Sequence, residues 1–484
     1  MRTNPGHEAA IALHRFGFGP VIGSIAAIAD DPREALLADL ERPGAGRVAA
    51  ANLPNSGQAA RAFFEFRAER LAKEKLAQRA KKATEAKGMV VGMADDNAMK
   101  PDGDAQLPKT EPAQNRQNQQ LPLPAQLVQN EAKVRIEAAV AVEIGFVERL
   151  VWFWSNHFCV STDKIPSMAG AYEREAIRPH VLGRFVDMLT AVESHPAMLY
   201  YLDNAESMGA NSIAGINRDK GLNENLAREI LELHTLGVRS GYSQADVASL
   251  AKVLTGWTFI FTGVPSHGGE FVFFKRFHEP GEQTVVGKSY PDTGADQGRA
   301  VLANLAHHPA TAAHIAYKLA RHFVADEPPP SLVDKLMRSF NDSKGNLKEL
   351  AKTLIAAEES WTPVRTKLKR PSEWLISALR LTGAPWLAGR VMGGQALLGE
   401  PLWRPPAPNG FPDYESAWID GLSVRLDIAN TFAGRVADRL DPVALVECGL
   451  GPLASAETRD TVARAESRAQ ALALLLMAPE FLRR

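Results

Sequence analysis

Apolar residues recur at helical spacing along nearly the whole chain, and one stretch, residues 270–277, alternates instead. A 3.6-residue period builds amphipathic helices and a 2-residue period builds half-buried strands. The pattern therefore predicts a mainly α fold, a multi-helix globular domain with one small β-hairpin near 270–287. Helical patterning covers 22–41 and 59–87, the latter rich in the Ala, Lys, Glu and Arg of a solvated surface helix. It resumes at about Asn130, runs through Trp154, and continues from Tyr172 to about Leu254. Helices are expected again at 296–323, 330–341, 346–358 and 371–382, then beyond the Pro-rich Pro401–Pro412 at about 422–437 and 457–477. In the alternating stretch Phe271, Phe273, Lys275 and Phe277 oppose Val272, Phe274, Arg276 and His278. Glu279-Pro280-Gly281-Glu282 reads as the turn and Gln283–Gly287 as the returning strand.

Residues 93–125 break the pattern: Pro, Gln, Asn and Asp are frequent, aromatics are absent, and too little apolar surface exists to offset chain entropy. The expected organisation is an N-terminal helical part (1–92), a flexible insertion or linker (93–125) and a main helical domain (126–484) with the candidate site. Lys and Arg number 55 against 56 Asp and Glu, a formal charge of −1, which argues against a nucleic-acid partner. Two cysteines, Cys159 and Cys448, exclude a disulfide scaffold and a cysteine-based zinc site. No run reaches the roughly 18–20 apolar residues of a transmembrane segment. The visible N-terminus, whose apolar run is cut by His14 and Arg15, points to the cytoplasm. A trimmed start would allow a periplasmic or exported protein.

Chemistry is concentrated in a few segments. In Gly221–Gly237 (GLNENLAREILELHTLG), a step of about 100° per residue places Glu229 inside the apolar arc of Leu226, Ile230, Leu233 and Leu236. Asn225 and Glu232 border the arc, and Gly237 ends the helix. A buried carboxylate must be paired, metal-bound or protonated, and two neighbouring carboxylates push one pKa up, as a general acid requires. Arg228 is spaced to pair with Glu232. Glu229 and Glu232 are thus either an acid/base pair or part of a structural network held by arginine.

In Val151–Lys164 the aromatic run of Trp152, Phe153, Trp154 and Phe158 embeds Asn156 and His157, polar groups that need specific partners. His157 is a candidate general base, metal ligand or hydrogen-bond anchor. Trp257, in LTGWTF, is a candidate ring-stacking residue, and His278 stands at a strand end before the Pro-Gly turn. His307, His314 and His322 share a helical spacing that Pro309 interrupts, and the Gly residues of HRFGFGP lack a phosphate-loop context. HExxH, GxSxG, Walker and Rossmann motifs are all absent, which removes the common nucleotide and serine-hydrolase chemistries.

The blocks HRFGFGP, FWSNHFCVS, AYEREAIRPHVLGRF, HPAMLYYLDN, NENLAREILELHTLG, LTGWTF, HEPGEQTVVG, HPATAAHIAYKLARHFVADEPPP and NGFPDYESAW occur in that order over roughly residues 8–435. Together they resemble the bacterial domain-of-unknown-function 1800 family. The resemblance implies no assigned activity; it does imply export for many members, and a protein partner encoded by a neighbouring gene. It falls on the residues selected above, His157, Glu229, Glu232, His234 and His278.

The expected function is a hydrolase or lyase acting on a polar, glycan-like polymer or a small molecule by carboxylate acid/base chemistry. Glu229, Glu232 and His157 are the catalytic candidates, and Trp154, Asn156, Arg228, Trp257 and His278 the substrate-binding ones. A divalent metal held by His157, Glu229 and His278 is the candidate cofactor; His234, on the same 100° step, points away from Glu229. The alternatives are a metal-dependent oxidoreductase and a non-catalytic partner or assembly protein.

Overall fold

A computed structural model describes residues 5–49, 52–91, 121–216, 221–260 and 269–484. The described residues are 64% helical, in 22 α-helices and a dozen short 3₁₀ or π segments, with two small two-stranded antiparallel sheets. No described helix is long and apolar enough to cross a membrane. Most of the insertion expected at 93–125 lies outside the described residues; at its far end, a helix already begins at Leu123 (Leu123–Ala141), with Pro124 among its first residues.

Helix Phe146–His157 runs through the core, with every residue except Asn156 buried. Its first turn meets Phe16 and Phe323, whose rings lie 5.4 and 5.5 Å from that of Phe146. Phe323 ends Pro309–Phe323, a helix opened by Pro309 and capped by His308, whose Nδ1 accepts from the Ala310 amide. The single helix expected over 296–323 is therefore two, Ala295–Ala306 and Pro309–Phe323, because proline restricts the preceding residue to extended backbone. Likewise 457–477 divides into Ala456–Ala463 and Arg468–Met477, each opened by a serine cap, Ser455 and Ser467.

The expected hairpin is rearranged. Phe271–Phe273 pairs with Trp257–Phe259, and Gln283–Val285 pairs with Lys288–Tyr290, so the two alternating runs belong to different sheets. A 3₁₀ turn at Lys275–Phe277 ends the first run. The second closes through Val286 and Gly287, both with positive φ (48° and 71°), as a two-residue hairpin loop requires. The Asp246 carboxylate accepts from the Val286 amide at 2.7 Å and holds that strained residue in place.

Among the described residues, three short π-helical turns, Ala12–Phe16, Glu173–Ile177 and Ile230–His234, each carry buried ionisable groups. The first sends Arg15 to the Ser360 and Thr362 carbonyls (2.6 and 3.0 Å) and His14 to the Gly449 carbonyl (2.8 Å), tying the N-terminal part to the core. The third alters the face read from the sequence. Leu226, Ile230 and Leu236 are buried as expected, but so are Leu231 and His234, while Leu233 and Glu229 are only partly buried. A π turn spaces bonded residues five apart, and His234 lies near enough to act electrostatically on Glu229. The 100° step does not apply across that turn. Gly237 ends the segment at φ +92°, where only glycine is unstrained.

Candidate active site

His157 closes its helix 1% exposed. Its Nε2 lies 3.2 Å from the His234 carbonyl and its Nδ1 2.9 Å from Lys318 Nζ. A carbonyl only accepts and an ammonium only donates, so Nε2 carries the proton and Nδ1 accepts from lysine. Burial, reinforced by Lys318 and by His314 and His234, holds the imidazole pKa well below 6.5, and the ring is neutral. Lys318 projects from Pro309–Phe323, and burial lowers its amine to about 8. Cys159 stands close enough to act on this amine, but burial pushes its thiol up to about 12, so it stays neutral, its S–H directed at the Pro408 carbonyl (3.1 Å).

The backbone of His234 that receives His157 is fixed by its own side chain. His234 Nδ1 meets Glu193 Oε1 at 2.7 Å, both groups buried. One turn of Pro309–Phe323 on either side of Lys318 come His314, whose Nε2–H donates to the Leu233 carbonyl (3.1 Å), and His322. His322 donates from Nδ1 to Asp413 Oδ2 (2.6 Å) and accepts at Nε2 from Arg149 (3.2 Å). Burial lowers both imidazoles to about 4. Burial would raise Asp413, but His322 and Lys367 outweigh it and keep the carboxyl well below its usual range.

His157, Lys318, His322 and Asp413 line the inner end of a cavity of about 160 Å³ that opens at exposed Asn409 and Tyr414. Its rim belongs to the Pro-rich loop, fastened by Asn156: the carboxamide NH₂ donates to the Phe411 carbonyl (3.0 Å) and its oxygen accepts from the Phe411 amide (2.8 Å). Gly410 (φ +79°) passes so close to Asn156 that a Cβ would collide with its carbonyl oxygen. Arg321 completes the wall; Nε donates to the Asp326 carbonyl (2.9 Å) and Nη2 to the Tyr317 hydroxyl (2.6 Å).

The sequence pattern of the family described as "Protein of unknown function (DUF1800)" matches residues 11–483. The chain belongs to the DUF1800 family. No curated protein and no solved structure matches it.

In this DUF1800 chain His157, Asn156 and His322 border the cavity, whereas Glu229, Glu232, Arg228, Trp154, Trp257 and His278 do not. Glu229 is partly buried; its carboxyl is raised, by burial first and by Glu232 to a lesser degree, while His234 and Arg228 oppose the shift. Arg228 prefers Glu224 (3.0 Å) to Glu232 (3.8 Å). Trp154 is core, its ring edge-on to His157 at 5.4 Å, and Trp257 is fully buried against Phe271. His278 donates from Nδ1 to the Thr255 carbonyl (2.9 Å), and its Nε2 lies 3.5 Å from Asp292. Among the described residues no group of three or more His, Cys, Asp or Glu side chains is placed to hold a metal ion, so His157, Glu229 and His278 are not brought together as a ligand set. Cys159 and Cys448 are both free thiols.

Sequence reasoning missed Lys318, Asp413 and Glu193. Glu193 follows Phe185, Met188, Leu189 and Val192 at helical spacing, the same embedded-acid signal that marked Glu229. Lys318 and Asp413 carry no such signal, since a lysine in a helix and an aspartate in a Pro-rich loop ordinarily face water.

Proposed function

We propose that the protein is a lyase acting on an acidic, glycan-like polymer, with Lys318 as the base. The observation that carries this reading is the Lys318 amine, lowered to about 8 and held by neutral His157, on the wall of a cavity that reaches solvent. About a tenth of an amine of that pKa is free base at pH 7, and a base tuned towards working pH is the usual requirement of proton abstraction. The Lys318 amine takes the proton from the carbon beside a sugar carboxylate. The C–H electrons form a double bond, the bond to the neighbouring sugar oxygen breaks, and that oxygen receives a proton from the lysine ammonium or the Tyr414 hydroxyl. Arg321 pairs with the substrate carboxylate and makes the C–H more acidic. A cavity smaller than the roughly 300–1,000 Å³ of drug-sized sites takes one unit of a polymer, with the rest outside along Asn409 and Tyr414.

The test offers purified protein a panel of uronate-bearing and neutral polysaccharides and follows the ultraviolet absorbance of the conjugated product. Unsaturated product is expected from acidic chains only, with Lys318→Met slower by at least about 10²-fold, as for loss of a general base. Full activity in Lys318→Met, or cleavage of neutral chains with water added across the bond, overturns the reading. A second reading, hydrolysis by Glu229 and Glu232, is favoured by the raised Glu229 carboxyl; it requires Glu229→Gln and Glu232→Gln to abolish turnover.

A further inference from the structure

Across the wall formed by Asn156, His322 and Phe411 lies a second cavity, of about 50 Å³. Arg135, Arg149 and Arg370 line it against two carboxylates, Glu373 and Glu400. His322 is neutral on this wall because burial lowers its pKa to about 4. The two acids are also shared with cations behind them: Arg484 Nε donates to Glu373 at 2.7 Å, and Arg425 lies within electrostatic reach of both. Arg135 is itself paired with Glu173 at 2.7 Å, so Arg149 and Arg370 balance the two acids of the lining, and the surplus of positive charge comes from Arg484 and Arg425 behind it.

Two of its polar atoms have no hydrogen-bond partner, Arg370 Nε and Gln395 Oε1, in residues only 7% and 2% exposed. Native structures rarely leave buried polar atoms unpaired, and these two share one cavity lining with room for a ligand. The volume equals that of three to five waters, at about 10–15 Å³ each, or of one anion of three or four heavy atoms. Guanidinium N–H groups match the planar geometry of a carboxylate. The cover is the Pro-rich loop, through Leu402, Trp403 and Pro405. Trp403 sits at φ +51°, a conformation that a bulky residue keeps only when its surroundings impose it.

We propose that this cavity binds a small planar monoanion of the carboxylate class, of formate or acetate size. Arg370 donates from Nε, and the Gln395 amide turns its NH₂ towards the anion, the two amide orientations being sterically equivalent. The inference does not depend on the lyase reading, since neither Lys318 nor Arg321 lines this cavity.

Isothermal titration of the full-length protein with sodium formate and sodium acetate, at ionic strength fixed with chloride, tests it. Saturable one-site binding is expected for either salt, with sodium sulfate at least tenfold weaker because a tetrahedral dianion exceeds both the space and the charge. Gln395→Glu supplies the carboxylate from the protein itself and should weaken acetate binding at least tenfold. Ser372→Thr, which adds a methyl group to the lining, should weaken it as well. Lys318→Met should bind as the wild type does, so failure of the lyase reading leaves this one standing. No saturable binding by the wild type identifies a water-filled cavity and overturns the proposal, as does unchanged affinity in Gln395→Glu. Should Gln395→Glu not fold by circular dichroism, Ser372→Thr decides.

Discussion

Replacing Glu373 by glutamine keeps the shape of the side chain and removes one negative charge from a buried ionic cluster of the core. Glu373 is 3% exposed; Oε1 meets Arg149 at 2.9 Å, while Oε2 accepts from Arg484 Nε at 2.7 Å and from the Arg370 amide at 3.1 Å. Burial would raise its carboxyl, but Arg149 and Arg484 outweigh that and hold it at about 2, against 4.5 when unperturbed. Each pH unit of depression is worth about 1.4 kcal/mol, so the ionised group contributes about 3 kcal/mol to folding. Loss of one partner of a buried ion pair costs about 3–5 kcal/mol by an independent route. The variant leaves Arg149, already lowered by burial to about 9, without the main group that holds its charge. Glu373→Gln should therefore lose about 3–5 kcal/mol at pH 7, read as a lower urea midpoint by far-ultraviolet circular dichroism. Because the folded pKa is depressed, the contribution is complete above about pH 4.5 and disappears as pH falls towards 2. Wild-type stability should thus converge on that of the variant across this window. A loss below about 1 kcal/mol at pH 7, or parallel pH profiles, would refute the argument.

Three further outcomes are expected. Gly237→Ala should cost at least about 1–2 kcal/mol, since alanine is strained at φ +92° and its Cβ would stand 2.9 Å from His314 Nδ1; thermal unfolding reads the loss, and an unchanged midpoint contradicts it. Lys318 has a lowered folded pKa, so the unfolded chain binds more protons between about pH 8 and 10.5 and wild-type stability should rise with pH across that window. Lys318→Met should flatten this rise in urea titrations. Glu229 carries the opposite sign for an acid: its raised carboxyl opposes folding once ionised, so Glu229→Gln should be as stable as the wild type, or more so, at pH 7. A large loss of stability there would mean that the carboxylate has a partner its surroundings do not provide.

The sequence by itself determined the mainly α architecture and most helix positions, because apolar period, proline and serine caps act over a single turn. Pro371–Thr382 and Leu422–Val436 fall where their patterns put them. It also located His157 as a polar group needing partners, since an imidazole inside an aromatic run cannot remain unpaired. Strand pairing was decided by tertiary structure: Phe271–Phe273 had two candidate neighbours, and Trp257–Phe259, buried throughout, offered the better apolar face. The face of Gly221–Gly237 was likewise decided in space, by a π turn that lets His234 reach Glu193 and that no residue period announces. Lys318 and Asp413 are ordinary surface residue types in sequence, 95 positions apart. Their chemistry arises only when the Pro-rich loop, clasped by Asn156, packs over Pro309–Phe323 and leaves both only partly exposed, on one cavity wall. Electrostatic tuning depends on burial and on neighbours distant along the chain, and those are properties of the folded state alone.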